Sequence, residues 1–124
     1  MVSLGYEFVN GNAEYIYIYG CMEENVRSFN AFYRIAGEIK TLNLITTDAK
    51  YAFSFLRLGT EDVLKLRNLF KEYSQKCPTE IKLTYNVQTG EFDIEYQYDP
   101  VWTDERIDAD VFNAWVEEEK RKLR

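Results

Sequence analysis

Apolar and polar residues alternate from position 81 to position 98, a pattern that is typical of two half-buried strands. Thr89 and Gly90 interrupt the alternation and predict the turn of a β-hairpin. If Gln88 stands opposite Glu91, the residue numbers of every facing pair add to 179. The apolar pairs are then Ile81 with Tyr98, Leu83 with Tyr96, Tyr85 with Ile94, and Val87 with Phe92. All of them lie on one face, so the pattern specifies the register firmly.

Two earlier segments are predicted to be strands of the same sheet. Residues 14–20 alternate tyrosine with isoleucine, so both faces are apolar, as in a central strand that is covered on two sides. Residues 26–36 also alternate, and residues 38–44 are expected to pair back antiparallel. Asn10-Gly11-Asn12 is a turn signal between strand-like runs. The chain is therefore expected to begin with strands.

A helix is predicted from Thr60 to about Gln75, because Thr60 is a good N-cap residue and Pro78 follows the apolar stripe. The stripe comprises Val63, Leu66, Leu69, Phe70 and Tyr73, and the solvated face comprises Lys65, Arg67, Lys71 and Glu72. Residues 46–58 fit either a short helix capped by Asp48 or an extended segment.

A last helix is predicted from Asp108 to Leu123, capped by Asp108 or Asp110. Its inward residues are expected to be Phe112, Trp115, Val116 and Leu123. Together the elements predict an α+β fold for residues 1–124, which form one domain. We expect an antiparallel meander sheet of five to six strands with two main helices packed on it.

Charge is distributed unevenly along the chain. Residues 1–79 hold nine acids and nine bases, residues 80–119 hold twelve acids and two bases, and the basic tail 120–124 adds four positive charges. An acidic segment attracts a basic partner and repels nucleic acid, although acidic surface also serves solubility alone. We therefore expect no direct nucleic-acid binding.

The composition argues against several classes of catalyst. The chain has no histidine, which removes the commonest general base, and it has no phosphate-binding glycine loop. Cys21 and Cys77 show neither metal-ligand spacing nor an activating base, so we expect inert thiols, no cofactor and no metal. The sequence does not exclude a pair of carboxylates that acts as general acid and general base. A calcium site formed by Asp99, Asp104, Asp108 and Asp110 is also possible, although these residues do not have the spacing of an EF-hand. No membrane span or signal sequence is expected, and two cysteines suit a reducing cytoplasm.

The feature selected as a candidate site is a row of carboxylates on the second hairpin strand. Glu91, Asp93 and Glu95 are alternate residues and share one face. In the predicted register they face neutral residues, while Lys82 pairs with Gln97, so the acids are not neutralised. The predicted partner-binding residues are Glu91, Asp93, Glu95, Tyr98, Asp99, Trp102, Asp104 and Glu105. Aromatic anchors beside acids are typical of a protein-binding patch, and an ordinary solvated strand is the alternative.

Residues 78–99 resemble the hairpin of the YezG/EsaG-like antitoxin, or immunity-protein, family. The second strand, Phe92-Asp-Ile-Glu-Tyr-Gln-Tyr-Asp99, is similar to the family's strand of that type. The upstream order of strands and helix fits over about residues 13–99. Family members usually begin with a helix, whereas this chain is expected to begin with strands. It would therefore be a divergent or N-terminally shortened member.

The resemblance implies an immunity protein that binds a secreted toxin, a nuclease domain, before the toxin reaches the cell's own DNA. It also implies a neighbouring gene that encodes the toxin. The partner would then be a basic protein domain, and inhibition by plugging its cleft or by docking elsewhere stays open. The alternative from a different class is a small-molecule-binding or regulatory α+β domain, which needs an apolar pocket between sheet and helices.

Overall fold

The structure, a computed structural model, describes residues 1–23 and 26–123, so Arg124 of the basic tail lies outside the described residues. The helices are α1 (Val2–Phe8), α2 (Leu42–Ile45), α3 (Ala49–Glu72) and α4 (Asp108–Lys122). The strands are β1 (Tyr15–Glu23), β2 (Val26–Ile35), β3 (Glu38–Thr41), β4 (Glu80–Asn86) and β5 (Phe92–Gln97). None of the described helices is long and apolar enough to cross a membrane.

The strands form one open antiparallel sheet in the order β3-β2-β1-β4-β5. β1, β2 and β3 follow one another as a meander, and the β4–β5 hairpin joins the free edge of β1. The predicted α+β class and antiparallel sheet are confirmed. The expected strand 38–44 is shorter than predicted, because β3 ends at Thr41 and α2 begins at the next residue.

β1 is the centre of the molecule and is covered on both faces, as its sequence predicts. Ile16 and Ile18 belong to one core, with Phe29 and Tyr33 of β2. The opposite face carries Tyr17 and Tyr19 and belongs to a second core. The protein thus has three layers, with α1 and α3 on one side of the sheet and α4 on the other.

The second core is built from stacked rings. Tyr17 and Phe32 lie nearly parallel with their ring centroids 4.4 Å apart. Trp115 of α4 meets Phe32 edge-on at 5.0 Å. Phe112, Trp115 and Val116 are buried as predicted, whereas Leu123 is exposed. Phe32 packs edge-on against both Phe112 and Trp115 and, together with Tyr17 and Tyr19, anchors α4 to the sheet.

α3 is one helix of 24 residues, where the sequence predicted a helix from Thr60 and left residues 46–58 open between a short helix capped by Asp48 and an extended segment. The helical alternative is correct, but its helix is continuous with the one predicted from Thr60. Asp48 is its N-cap and accepts a hydrogen bond from the Tyr51 amide. Thr60 lies in the middle, and its hydroxyl donates to the Leu56 carbonyl at 2.8 Å. Gly59, next to Thr60, is buried against the sheet, and a Cβ at this position would overlap the Phe29 ring. The glycine lets the helix lie close to the sheet.

Three side chains of α3 and its C-cap differ in burial from the prediction. Arg67 was expected on the solvated face but is only 6% exposed. Leu69 and Tyr73 were expected to be buried but are exposed. The helix ends at Glu72, three residues before the predicted end, and Tyr73 is its C-cap. The stripe is therefore centred on Val63, which is fully buried, and turns toward Arg67 near the end of the helix.

The prediction that the chain begins with strands is wrong. α1 is a short helix whose Phe8 side chain enters the first core and stacks on Phe55 with centroids 4.4 Å apart. Two of its carbonyls accept hydrogen bonds from distant tyrosines: Gly5 from Tyr33 at 2.9 Å and Phe8 from Tyr51 at 2.8 Å. A helix this short is marginal alone, so these tertiary contacts stabilise it.

Buried tyrosines should make the protein unfold in alkali. Burial, with a smaller contribution from the charge of Glu119, raises the pKa of Tyr17 to about 12. Burial also raises the pKa of Tyr19 and of Tyr33 above the usual value. A tyrosine whose pKa is raised in the folded state contributes its full stabilisation at pH values below the unfolded pKa of 10.0. Above pH 10.0 the tyrosine is deprotonated in the unfolded chain but still protonated in the folded protein. The unfolding free energy therefore falls by about 1.4 kcal/mol per pH unit for each such tyrosine.

Denaturant unfolding followed by circular dichroism between pH 9 and pH 12 measures this slope. Tyr17→Phe removes one of the hydroxyls and should flatten the slope by one proton. Tyr73→Phe, at a ring that is 68% exposed, is the matched control. An unchanged slope in Tyr17→Phe would contradict the assignment.

Gly59→Ala should destabilise the protein, although alanine normally stabilises a helix relative to glycine by about 1 kcal/mol. The new Cβ would overlap the Phe29 ring, and overpacking of this kind costs about 1–3 kcal/mol. Ser54→Ala on the exposed side of the same helix is the control. A Gly59→Ala protein with a higher urea midpoint than wild type would show that α3 does not lie against Phe29.

Candidate partner-binding surface on the hairpin

The turn of the β4–β5 hairpin is longer than the predicted two-residue turn. The Asn86 amide donates to the Glu91 carbonyl at 2.8 Å, so the loop holds the four residues between them. The Asn86 side chain accepts from the Gln88 and Thr89 amides, at 3.0 and 3.2 Å. The Val87 amide donates to Glu14 beside β1 and is therefore not used for pairing with β5.

The longer loop shifts the register by two residues from the prediction. Facing pairs are Ile81 with Tyr96, Leu83 with Ile94, and Tyr85 with Phe92, so the predicted pairs are wrong. Because side chains alternate with a period of two, a shift of two residues leaves every side chain on its predicted face. The face was therefore predicted correctly and the partners were not.

The new register brings a cation opposite the acidic row. Lys82 faces Glu95, where the prediction placed Gln97, and Thr84 faces Asp93. The Lys82 ammonium group lies 5.7 Å from the centroid of the Trp115 ring. In residues 1–23 and 26–123, the ion pairs join neither Lys82 nor Glu95 to a partner. Lys82 therefore lowers the local negative charge without engaging a carboxylate.

Asp93 and Glu95 line one side of a groove of about 480 Å³ between β5 and the end of α4. Trp115 and Tyr17 are among its apolar residues, and Lys122 lies on the α4 side. Lys122 donates to Glu119 at 2.9 Å, and this hydrogen bond, with the nearby acids, raises the pKa of Lys122. The α4 helix thus flanks the acidic row but does not cover it, since Asp93 and Glu95 are both exposed.

Six exposed carboxylates of this region form no ion pair within the described chain. Some acids of other segments do form ion pairs, as Glu14 does with Arg34 at 3.1 Å and Glu61 with Arg57 at 3.2 Å. Glu7, Glu38 and Glu72 are exposed and, in the described chain, form no ion pair either. What distinguishes this region is the number of such acids within one short segment: the six are Glu91, Asp93, Glu95, Asp99, Asp104 and Glu105. Their charge is therefore available to a partner.

The loop that carries Trp102 is held against the sheet by a side chain of β1 and by side chains near the start of α4. Glu23 of β1 accepts hydrogen bonds from the Val101 amide and, at 3.2 Å, from the Trp102 amide. Arg106 donates to the Val101 carbonyl at 3.2 Å. The Trp102 indole donates to Asp108 at 3.1 Å, and the ring remains 44% exposed. Trp102 is therefore a fixed aromatic side chain at the surface.

The predicted site residues do not form one continuous patch. Glu91 lies at the turn, and Asp93 and Glu95 lie in the α4 groove. Tyr98 lies on the other side of the hairpin, where the Lys76 ammonium group is 5.2 Å from its ring. Trp102 lines a separate groove of about 530 Å³. Asp99, Asp104 and Glu105 are exposed in the connection to α4.

Two surface residues were missed by the sequence argument. Phe92 is 64% exposed and Tyr96 is 49% exposed, although both were expected to face the core. They lie at the outer strand, where the Phe70 ring of α3 meets the Tyr96 ring edge-on with the centroids 6.5 Å apart. The sequence could have predicted this exposure, because it contains too few helical segments to cover the last strand of the sheet.

The remaining reactive groups have environments that suppress reactivity. Burial raises the pKa of the Cys21 thiol to about 11, and burial also raises that of Cys77 despite the opposing charges of Arg67 and Lys71. Asp108 and Asp110 engage Trp102 and the Ile107 amide, respectively. Among residues 1–23 and 26–123, the acids and cysteines form no group that could hold a metal ion.

Comparison with known proteins adds no relative. No protein-family model matches the chain, and the curated proteins give no significant match. The resemblance of the hairpin to the YezG/EsaG-like family therefore stays a prediction.

Glu23→Ala should loosen the loop that presents Trp102, because the Val101 and Trp102 amides lose their acceptor. The expected loss of unfolding free energy is about 1–3 kcal/mol, and Trp fluorescence should shift to the red. Glu38→Ala, at an exposed carboxylate of β3, is the control. Equal stability and emission in the two variants would contradict the role assigned to Glu23.

Proposed function

We propose that this protein is an immunity protein that binds and neutralises a basic toxin domain, a nuclease, in the cytoplasm of the cell that makes the toxin. It acts by stoichiometric binding and has no catalytic activity of its own. The observation that carries the proposal is the set of six exposed carboxylates between Glu91 and Glu105 that have no partner in the described chain.

Electrostatics supports a basic partner. Unpaired carboxylates attract cations over about 8–10 Å at physiological ionic strength and speed the encounter of two proteins. A nuclease domain must itself be attractive to phosphate, so a surface that competes with nucleic acid for it needs negative charge. The acidic row supplies that charge on a strand, where it is presented by a rigid element.

Exposed rings next to Asp99 in the chain, on surfaces adjoining the acidic row, supply the second requirement, which is apolar contact area. Tyr98 and Trp102 are each nearly half exposed, and hydrogen bonding at the indole fixes Trp102. Large rigid side chains lose little conformational entropy on binding and are typical interface anchors.

The order of elements is also compatible with the resemblance. α1 precedes β1, so the chain has a helix before its first strand, as members of the YezG/EsaG-like family usually do. The chain therefore lacks the N-terminal difference that the sequence suggested, which supports the same proposal.

One observation favours the alternative, a small-molecule-binding domain. A groove of about 620 Å³ lies beside α2 and the first turns of α3, and Leu42, Leu56 and Phe112 are among its lining residues. Phe53 at this groove is 69% exposed. An apolar groove with a few polar groups suits a small ligand. Stabilisation by one compound in a thermal-shift panel, with no binding to any toxin, would favour this alternative.

The test is co-purification with the protein encoded by the adjacent gene, followed by charge reversal. The variant Glu91→Lys/Asp93→Lys/Glu95→Lys should slow association by about tenfold or more at low salt and weaken its salt dependence. The matched control reverses three exposed acids elsewhere, Glu7→Lys/Glu38→Lys/Glu72→Lys, with the same change in net charge. Stopped-flow or biosensor kinetics at several salt concentrations measures both effects.

Equal slowing in the two variants would show that net charge, and not this face, attracts the partner. Failure of the wild-type protein to bind the neighbouring product, or to rescue cells from its toxicity, would overturn the proposed function.

A further inference from the structure

β5 is an edge strand, and the backbone groups of its outer side are open. Carbonyls of Glu91 and Gln97 accept hydrogen bonds from Asn86 and Thr79 on the β4 side. Successive residues of a strand direct their backbone groups to opposite sides. Phe92, Ile94 and Tyr96 therefore direct their amides and carbonyls away from β4, toward the free edge of the sheet.

The α3 side of this edge is apolar and incompletely covered. Phe92 and Tyr96 are more than 45% exposed, and Ile94 between them is half-buried. Leu69 and Tyr73, near the end of α3, are exposed as well. A strand added beside β5 would place alternate side chains over this apolar surface.

The α4 side of the same edge carries Asp93 and Glu95, which are exposed. A strand added beside β5 would place its other side chains next to these carboxylates. Lysine or arginine at those positions would form cross-strand pairs of opposite charge. The edge thus specifies an incoming strand in which apolar and basic residues alternate.

The charges disfavour a second copy of this chain as the occupant. If two β5 strands paired antiparallel with Ile94 opposite Ile94, Asp93 of each would face Glu95 of the other. Shifting by one pair in either direction places Glu95 opposite Glu95 or Asp93 opposite Asp93. Like charges directly opposite one another destabilise a sheet.

We propose that β5 binds its partner by β-augmentation: it accepts an additional antiparallel strand of alternating apolar and basic residues, contributed by the toxin domain. The inference deepens the proposed function and rests on it for the identity of the partner. Main-chain hydrogen bonds to Phe92, Ile94 and Tyr96 hold the strand, and the two faces of the edge select its sequence.

The first experiment uses a synthetic probe, so that its outcome does not depend on the toxin. An end-blocked octapeptide that alternates lysine and valine is added to the ¹⁵N-labelled full chain, and amide exchange is followed by NMR. Exchange at Phe92, Ile94 and Tyr96 should slow by about tenfold or more, as expected when open amides gain hydrogen bonds. β3, the opposite edge of the sheet, is an internal control and should not change.

A peptide with four lysines followed by four valines is the composition control. Protection by the alternating peptide and not by the block peptide supports the inference. Equal protection by both, or protection at β3 alone, overturns it.

The second experiment alters the edge without altering its charge. Ile94→Pro removes an outward amide and leaves the β4 ladder bonds intact, and proline is tolerated at such edge positions. Ile94→Ala controls for the lost side chain. Binding of the alternating peptide, and of the co-purified toxin, should fall by about tenfold or more in Ile94→Pro relative to Ile94→Ala. If Ile94→Pro does not fold, Phe92→Pro at the first residue of the strand replaces it, with Phe92→Ala as its control.

The outcomes separate this inference from the proposed function. Toxin binding that is unchanged in the folded proline variant, but lost on charge reversal, overturns strand addition and leaves the immunity function standing. Self-association of Asp93→Asn/Glu95→Gln, with no peptide binding by the wild type, overturns the inference because the acids would then serve only to block edge-to-edge pairing.

Discussion

Burial of β1 on both faces is the constraint on which the rest of the structure depends. Ile16 and Ile18 require an apolar layer on one side, and Tyr17 and Tyr19 require another on the opposite side. A single helical layer cannot satisfy both. The sheet therefore lies between α3 and α4, and the strands farthest from β1 receive the least cover. β3 and β5 are equally far from β1, but Ile39 of β3 is buried in the core under α4, whereas no residue of β5 is buried, because the helices leave this edge largely uncovered.

The sequence predicted well the features that depend on the local alternation of apolar and polar residues. Alternation assigned the faces of β1, β2, β4 and β5 correctly, because a strand's two faces depend only on odd and even positions. The hairpin register failed because the Val87 amide is bonded to Glu14, a partner that lies far away in sequence. Face depends on local pattern, whereas pairing depends on competition among strands.

Elements that tertiary contacts stabilise were the ones that the sequence did not predict. α1 depends on Tyr33 and Tyr51, and the continuity of α3 depends on the fit of Gly59 against Phe29. Neither interaction leaves a periodic signal. For the candidate site, the sequence identified the exposed acids but not the division of the site residues between separate surfaces: Asp93 and Glu95 line one groove and Trp102 lines another. That division arises from the positions of α3 and α4, which only the assembled sheet determines.

The pairing of β1 with β4 has a consequence for how the protein folds. The Tyr19 hydroxyl donates to the buried carboxylate of Glu80 at 2.7 Å, and these residues are 61 positions apart in the chain. β1, β2 and β3 can pair through short connections, but β4 must close a loop that contains all of α3. Contacts of such high contact order form slowly. During synthesis, the edge of β1 that pairs with β4 has no partner strand until β4 has emerged from the ribosome. The acidic hairpin therefore completes the sheet last.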